Sequence, residues 1–321
     1  MSIGTLIVGL GQIGMGYDLG LNPDTDVRSH ARAFNLHPSF HLLGGVDPSD
    51  QQRQTFEREY RCSSFADVET ALAQIQPELI VIAVPTPAHG ETLRRTLRRS
   101  RPVAVLCEKP LSYDLEEARA MVQACAEKGA RLFVNYMRRS DPGAAEIKRR
   151  LGSGEIRSPV KGVAWYSKGF MHNGSHFINL LEYWLGEMVN AQILATGRLW
   201  NESDAEPDVR VSFEGGTIVF LAAREEEFSH YTVELVAPNG RLRYEKGGNK
   251  IAWQPARQDP KLAGYTGLAD DIETIESGMS RYQWNVVDQI AAALGGKEAR
   301  LCDGDEALRT LESLNAIMEK R

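Results

Sequence analysis

The chemistry of this chain is written first in Glu108-Lys109-Pro110, which follows the apolar run Val103-Ala104-Val105-Leu106-Cys107. A run of that length and composition reads as a buried strand, so Lys109 stands at a strand end. A lysine there can meet both a cofactor and a substrate. Far upstream, Thr5-Leu6-Ile7-Val8 runs directly into Gly9-x-Gly11-x-x-Gly14, with Gln12 and Ile13 inside the turn. This is the strand-turn-helix setting of a dinucleotide cradle. Gly9 allows the tight turn, Gly11 lets the backbone approach a pyrophosphate, and Gly14 closes helix against strand with the helix N-terminus facing the anion. The cradle implies a cofactor and the lysine implies a reaction; together they imply a nicotinamide-dependent oxidoreductase.

Asp47 ends the second apolar run, Leu42 to Val46, where a carboxylate can accept from ribose hydroxyls and repel a 2'-phosphate. The expected cofactor is therefore NAD. The separation of Gly14 from Asp47 is longer than the usual spacing of about 20 residues, because Tyr17 to Arg28 reads as an inserted polar loop. That loop either borders the cofactor or decorates the surface. Val84-Pro85-Thr86-Pro87-Ala88-His89 ends another strand and puts Pro85, Thr86 and His89 at the carboxyl edge, where ligands bind in such sheets. His89 can equally be a helix-start residue.

These residues need a scaffold, and the pattern supplies an α/β one. Through residue 140, strands at Thr5–Val8, Phe40–Val46, Leu79–Val84, Val103–Cys107 and Arg131–Asn135 alternate with amphipathic segments at Ser49–Tyr60, Asp67–Ala73, Ala88–Arg98 and Asp114–Lys128. This βαβ rhythm belongs to a doubly wound parallel sheet, a Rossmann domain. From Asp141 the pattern changes to strand-length runs bounded by Gly, Pro, Asn and Asp, with helices at Ala144–Leu151, Phe177–Leu185, Asn285–Leu294 and Glu306–Glu319. A second α+β domain with an open, largely antiparallel sheet is expected over 141–321.

The 321 residues carry a formal net charge of −6, with 42% hydrophobic and 25% charged content. That length allows two cores, and the acidic balance opposes nucleic-acid binding. The basic cluster Arg94, Arg95, Arg98, Arg99 and Arg101 has the spacing of a solvated helix face. Cys62, Cys107, Cys125 and Cys302 are scattered without a C-x-x-C pair, so neither a disulfide framework nor a structural zinc is expected. No apolar stretch reaches the roughly 18 residues of a membrane span, and Met1-Ser2-Ile3-Gly4 lacks a basic leader. A cytoplasmic protein without membrane or nucleic-acid partners is expected.

The glycine turn, Pro85-Thr86-Pro87 with His89, Glu108-Lys109-Pro110, the later Gly174-x-His176 and the tail Asp303-Gly304-Asp305-Glu306-Ala307-Leu308 together resemble the Gfo/Idh/MocA oxidoreductases. The resemblance runs along almost the whole chain. It implies a nicotinamide-binding Rossmann domain and a second domain that holds a sugar, inositol or related polyol. It also implies that Lys109 contacts the reacting oxygen, that Glu108 supports it within the cofactor site, that the Lys109-Pro110 bond is cis, and that His176 takes the hydroxyl proton. An imidazole titrates near neutrality and suits that task. The family often has aspartates four before and three after this histidine; here His172 and Asn179 stand there. The base is then His176 alone, a His172/His176 relay, or Lys109, and His172 can equally be a buried structural residue.

The segment His172-Asn173-Gly174-Ser175-His176 through Leu181 resembles members of nucleotide-sugar and surface-polysaccharide biosynthesis. Tyr136, Arg138 and Arg139 leave the last Rossmann strand, and adjacent arginines can grip a diphosphate or pair with Asp141 or Glu146. Tyr166, Lys168, Asn173 and Asn179 are further candidates to hold substrate. The implied reaction is NAD-dependent oxidation at C3 of a UDP-linked N-acetylhexosamine such as UDP-GlcNAc, of the kind that serves lipopolysaccharide assembly; the alternatives are a free sugar or inositol. From other classes, His172-x-x-x-His176 has the spacing of paired zinc ligands but lacks the glutamate of H-E-x-x-H, and a nicotinamide-binding sensor without turnover keeps the cradle. An open sheet needs cover, so self-association as a dimer or tetramer is expected.

Overall fold

The computed structural model describes residues 2–201 and 204–321, so Met1 of Met1-Ser2-Ile3-Gly4 lies outside the described residues. The chain divides into two compact units, one running through Ser140 and taking in Ser280–Leu311, the other comprising Asp141–Met279 and Glu312–Arg321. The boundary at Ser140 is followed by a return: Ser280–Leu311 pack with the first unit, so the second is not the continuous stretch 141–321.

The first unit holds β1 (Ile3–Val8), α1 (His30–Leu36), β2 (Phe40–Val46), α2 (Asp50–Tyr60), β3 (Ser64–Phe65), α3 (Val68–Gln74), β4 (Leu79–Ile82), α4 (His89–Arg99), β5 (Ala104–Cys107), α5 (Leu115–Lys128) and β6 (Arg131–Val134). Its strands are ordered β6-β5-β4-β1-β2-β3, all parallel. Every residue of β4 and β5 is buried, as strands covered on both faces must be. Helices α2, α3 and α5 each start at a side-chain cap. Asp114 accepts from Glu117 N–H and Gly129 ends α5 in the left-handed region.

The second unit begins with α6 (Pro142–Ser153), β7 (Val160–Tyr166), a π-helical segment Gly169–Gly174 and α7 (Ser175–Leu185). There follow β8 (Met188–Leu199), β9 (Ala205–Phe213), β10 (Gly216–Ala222), β11 (Thr232–Ala237), β12 (Gly240–Glu245), β13 (Lys250–Gln258), β14 (Thr266–Leu268) and β15 (Glu273–Ile275). The sheet order is β14-β13-β12-β11-β7-β10-β9-β8, with β15 also on β13; β7 and β10 pair parallel and the other neighbours antiparallel. Burial alternates along β10 and β12, the mark of a sheet with one covered face. Phe177, Leu180, Leu181 and Trp184 of α7 pack on it, and Trp184 Nε1 donates to Ala144 O at 3.0 Å. The chain closes with α8 (Tyr282–Leu294), β16 (Cys302–Asp303) and α9 (Gly304–Met318); β16 is an antiparallel edge strand on β6, and Val286, Val287 and Ile290 of α8 join the core of the first unit.

One expectation changes here. No regular helix follows Gly14 directly; a turn leads into the inserted segment, and α1 starts at His30. The insertion is anchored through Asp18, which is fully buried. Pro255 lies within β13, on the ladder opposite Gly240.

Candidate functional site

In the first unit the strand order reverses between β1 and β4, and the carboxyl ends of these two neighbours form the crevice where α/β sheets bind ligands. Gly9 follows β1 with φ +99°, and a Cβ there would lie 2.6 Å from the Ala83 backbone. A Cβ on Gly14 would lie 2.0 Å from Gly9 O, whereas one on Gly11 would meet nothing within 4 Å. Gly9 thus lets the turn pack against the backbone that follows β4, Gly14 closes the turn onto Gly9, and the middle glycine faces open space, which fits a pyrophosphate. Gln12 and Ile13 contribute backbone: Gln12 O accepts from Tyr17 N–H and Ile13 O from His30 N–H. Asp47 Oδ2 accepts from Leu10 N–H and Oδ1 from Ser49 N–H, each at 2.9 Å. Each carboxylate oxygen retains accepting capacity, so the residue both braces the glycine turn and suits a ribose. Arg53, absent from the sequence reading, holds this corner by donating to Asp47 O and Pro48 O.

Pro85 is exposed and Thr86 half-buried at the carboxyl end of β4. His89 is not a cofactor contact. Its ring is fully buried, with Nδ1 3.1 Å from Leu111 O and Nε2 3.0 Å from Val84 O, so it clamps the loops after β4 and β5. Burial pushes its pKa down despite the two carbonyls.

Glu108 lies where β5 ends. His30 Nε2 is 2.7 Å and Asn135 Nδ2 2.6 Å from its Oε1, while Oε2 accepts the Lys109 N–H at 3.3 Å. Burial opposes its charge, but the hydrogen bonds from His30 and Asn135 and the charges of His30 and Lys109 outweigh burial and hold the carboxyl below the usual range. The Lys109-Pro110 bond is cis. Neither His30 nor Asn135 was picked from the sequence: the insertion hides His30, and Asn135 carries no motif.

Arg139 is buried and pairs with Glu306 at 2.5 Å, an ion pair within the first unit. Tyr136 is buried and Arg138 half-buried in the same stretch.

In the second unit, Tyr166 is also spent: fully buried, its hydroxyl donates to Pro207 O at 2.6 Å. The chain then turns through Lys168 at φ 63° and Gly169 at φ 81° into the π-helical segment. Asp204 accepts from Met171 N–H and His172 N–H at 3.0 and 2.9 Å; a Cβ on Gly169 would lie 2.0 Å from its Oδ2, so the glycine makes room for the cap. The His172 ring stacks on Trp200 with centroids 5.4 Å apart. Asn173 Nδ2 donates to Tyr231 Oη at 3.1 Å, and Tyr231 and Ser167 hydroxyls both donate to Glu225 Oε2, at 2.8 and 2.7 Å. Lys168 Nζ reaches Glu225 Oε1 at 2.9 Å. Burial disfavours the Glu225 charge, yet the Ser229, Ser167, Lys168 and Tyr231 hydrogen bonds bring its pKa down to about 2, while burial drives Tyr231 up to about 12. His176 and Asn179 follow on α7, both buried. Asp204, Glu225 and Tyr231 were invisible to motif reading, being far along the chain from the segment they serve.

Residues 3–136 match the family GFO_IDH_MocA, described as "Oxidoreductase family, NAD-binding Rossmann fold". Among curated relatives, an inositol 2-dehydrogenase of Mycolicibacterium smegmatis is 39% identical over 31% of this chain and 28% of its own length. A scyllo-inositol 2-dehydrogenase (NAD(+)) of Bacillus subtilis is 28% identical over 61% and 57%. The matched parts therefore span less than two thirds of these relatives. The WlbA dehydrogenase of Bordetella pertussis, solved with NADH and UDP-GlcNAcA, superposes with a TM-score of 0.76 at 21% identity over 99% of this chain and 95% of that one. An aldose-aldose oxidoreductase of Caulobacter crescentus gives 0.79 at 18% over 100% and 97%. At such identities the shared feature is the fold, along the whole chain.

Proposed function

We propose that this chain, whose residues 3–136 match the model described as "Oxidoreductase family, NAD-binding Rossmann fold", is a member of the Gfo/Idh/MocA oxidoreductases and an NAD-dependent dehydrogenase of a ring secondary hydroxyl in a sugar or cyclitol. The observation that carries the reading is the strand end Glu108-Lys109, braced by His30 and Asn135, in the same sheet as a cradle whose middle glycine faces open space. Bound NAD supplies the hydride acceptor. Lys109 polarises the substrate hydroxyl through its ammonium group, and His176 takes the hydroxyl proton on its imidazole as the carbon becomes a ketone. His172 and Asn173 orient the substrate from the Asp204-capped segment, with Asn179 one turn further along α7.

A free cyclitol or sugar is the substrate reading the side chains favour. Arg139, Tyr166 and Lys168, which a nucleotide moiety would use, are engaged by Glu306, Pro207 and Glu225, and inositol dehydrogenases among the relatives support the same reading. Oxidation at C3 of a UDP-N-acetylhexosamine is the second reading, supported by the likeness to a dehydrogenase crystallised with UDP-GlcNAcA. Purified protein is offered NAD with inositols, free hexoses and UDP-N-acetylhexosamines while the absorbance of reduced nicotinamide is followed. Turnover of UDP-sugars alone reverses the order, and turnover of none removes both.

Self-association, as a dimer or tetramer, through the sheet of the second unit is part of the proposal, because Val189, Leu194 and Val236 are 68%, 51% and 52% exposed on it. Light scattering that finds monomer alone rejects it. Four free cysteines fit a reducing cytoplasm.

A further inference from the structure

The segment Met15–Ser29 interrupts the helix that leaves the glycine turn, and the structure closes the gap. His30 N–H donates to Ile13 O at 3.0 Å and Ala31 N–H to Gly14 O at 2.9 Å, so α1 resumes the hydrogen-bond ladder that Ile13 and Gly14 began. Asp18 makes the closure possible. Its buried carboxylate accepts the N–H groups of Arg28 and Ser29 and the Ser29 hydroxyl, at 2.6 to 3.1 Å, while Arg32 Nη2 donates to Asp18 O at 2.6 Å. The two ends of the insertion are tied where it leaves the helix, and the residue delivered at the seam is His30.

That ring is fully buried. Its Nε2–H donates to Glu108 Oε1 beside Asn135, and the other oxygen of Glu108 accepts the peptide N–H of Lys109. We infer that His30 is a positioning residue for Lys109: it holds the Glu108 carboxylate, and that carboxylate fixes the peptide from which the lysine side chain departs. The charged and titratable groups around Glu108 are His30, Lys109, His89, Tyr282 and Cys107. Burial works against the charge on Glu108 and His30 works for it. Without the imidazole the carboxyl takes up a proton at higher pH and no longer accepts fully from Lys109 N–H.

Only the kinetic arm of the test rests on the dehydrogenase reading. His30→Ala and His30→Gln are compared with the unaltered full-length protein, the glutamine being able to return a donor to Oε1 without a charge. Carbon NMR of glutamate-labelled protein follows the Glu108 carboxyl, and steady-state kinetics follow whichever alcohol is turned over. In His30→Ala the Glu108 carboxyl titrates at higher pH, kcat falls about ten- to a hundredfold, as loss of one hydrogen bond to a charged group allows, and KM for both substrates changes little. His30→Gln recovers most of kcat. An unmoved Glu108 titration, an unchanged kcat, or a glutamine variant no better than alanine overturns the inference. If the unaltered protein oxidises no alcohol, the functional reading fails by itself, and the NMR titration still decides whether His30 governs Glu108.

Discussion

Two carboxylates of this protein are held against burial by different means. Glu108, at a strand end of the parallel sheet, is surrounded by residues adjacent to glycine-turn or strand-end motifs: His30, Asn135 and the next peptide. Glu225, in the antiparallel unit, is held by Ser167, Lys168, Ser229 and Tyr231, drawn from the exit of β7 and the stretch before β11. The first arrangement follows from the architecture, since every parallel strand delivers its carboxyl end to one edge. The second depends on side chains that meet because an antiparallel sheet folds distant segments together. The strand end thus fixes where Glu108 stands, while its partner His30 comes from α1 and, like the contributors to the Glu225 and Asp204 networks, is supplied by tertiary packing.

The largest effect expected from breaking this contrast is at Lys109. Lys109→Ala lowers kcat by about 10²–10⁴-fold, the range of a lost proton-transfer or polarising group, while NAD affinity measured by titration stays within severalfold. Loss of cofactor binding in parallel with turnover would assign the lysine to the cradle instead. Within the cradle, Gly14→Ala drives a methyl into Gly9 O and costs about 1–3 kcal/mol of stability, read as a lower melting temperature. Gly11→Ala, pointing into open space, leaves stability within about 0.5 kcal/mol and weakens NAD binding. Equal melting temperatures for the two variants would contradict the division of labour among the glycines.

In the second unit, Asp204→Ala leaves the amides of Met171 and His172 without their acceptor, at a cost of about 1–3 kcal/mol, seen in chemical denaturation. The smallest effect concerns Glu225. Its folded pKa of about 2 lies below the ordinary 4.5, so the stability it contributes is complete above the ordinary value and is lost as pH falls from about 4.5 towards 2. Denaturation midpoints measured across that window fall less steeply in Glu225→Gln than in the unaltered chain. An identical acid slope in both would show that the network adds nothing.

Motif reading reached the glycine turn, Asp47 and the Glu108-Lys109-Pro110 strand end because each is a local pattern whose spacing is imposed by one strand and one turn. It failed at His30, where an insertion separated the residue from the helix it continues, and at Arg139, Tyr166 and His89, whose side chains were offered to ligands but are consumed inside the fold. Exposure and partner choice are long-range properties, and residue type alone does not encode them.

By itself, then, the order of residues determined the alternation of apolar runs and helices, and with it a parallel sheet presenting glycine turn and lysine at a common edge. Tertiary structure alone decided that Ser280–Leu311 return to the first unit, that Asp18 ties off the insertion, and that Asp204, Glu225 and Tyr231 build the surroundings of His172. The reason is physical. Backbone periodicity acts between neighbours, whereas a buried charge must find its partners wherever the packed chain brings them.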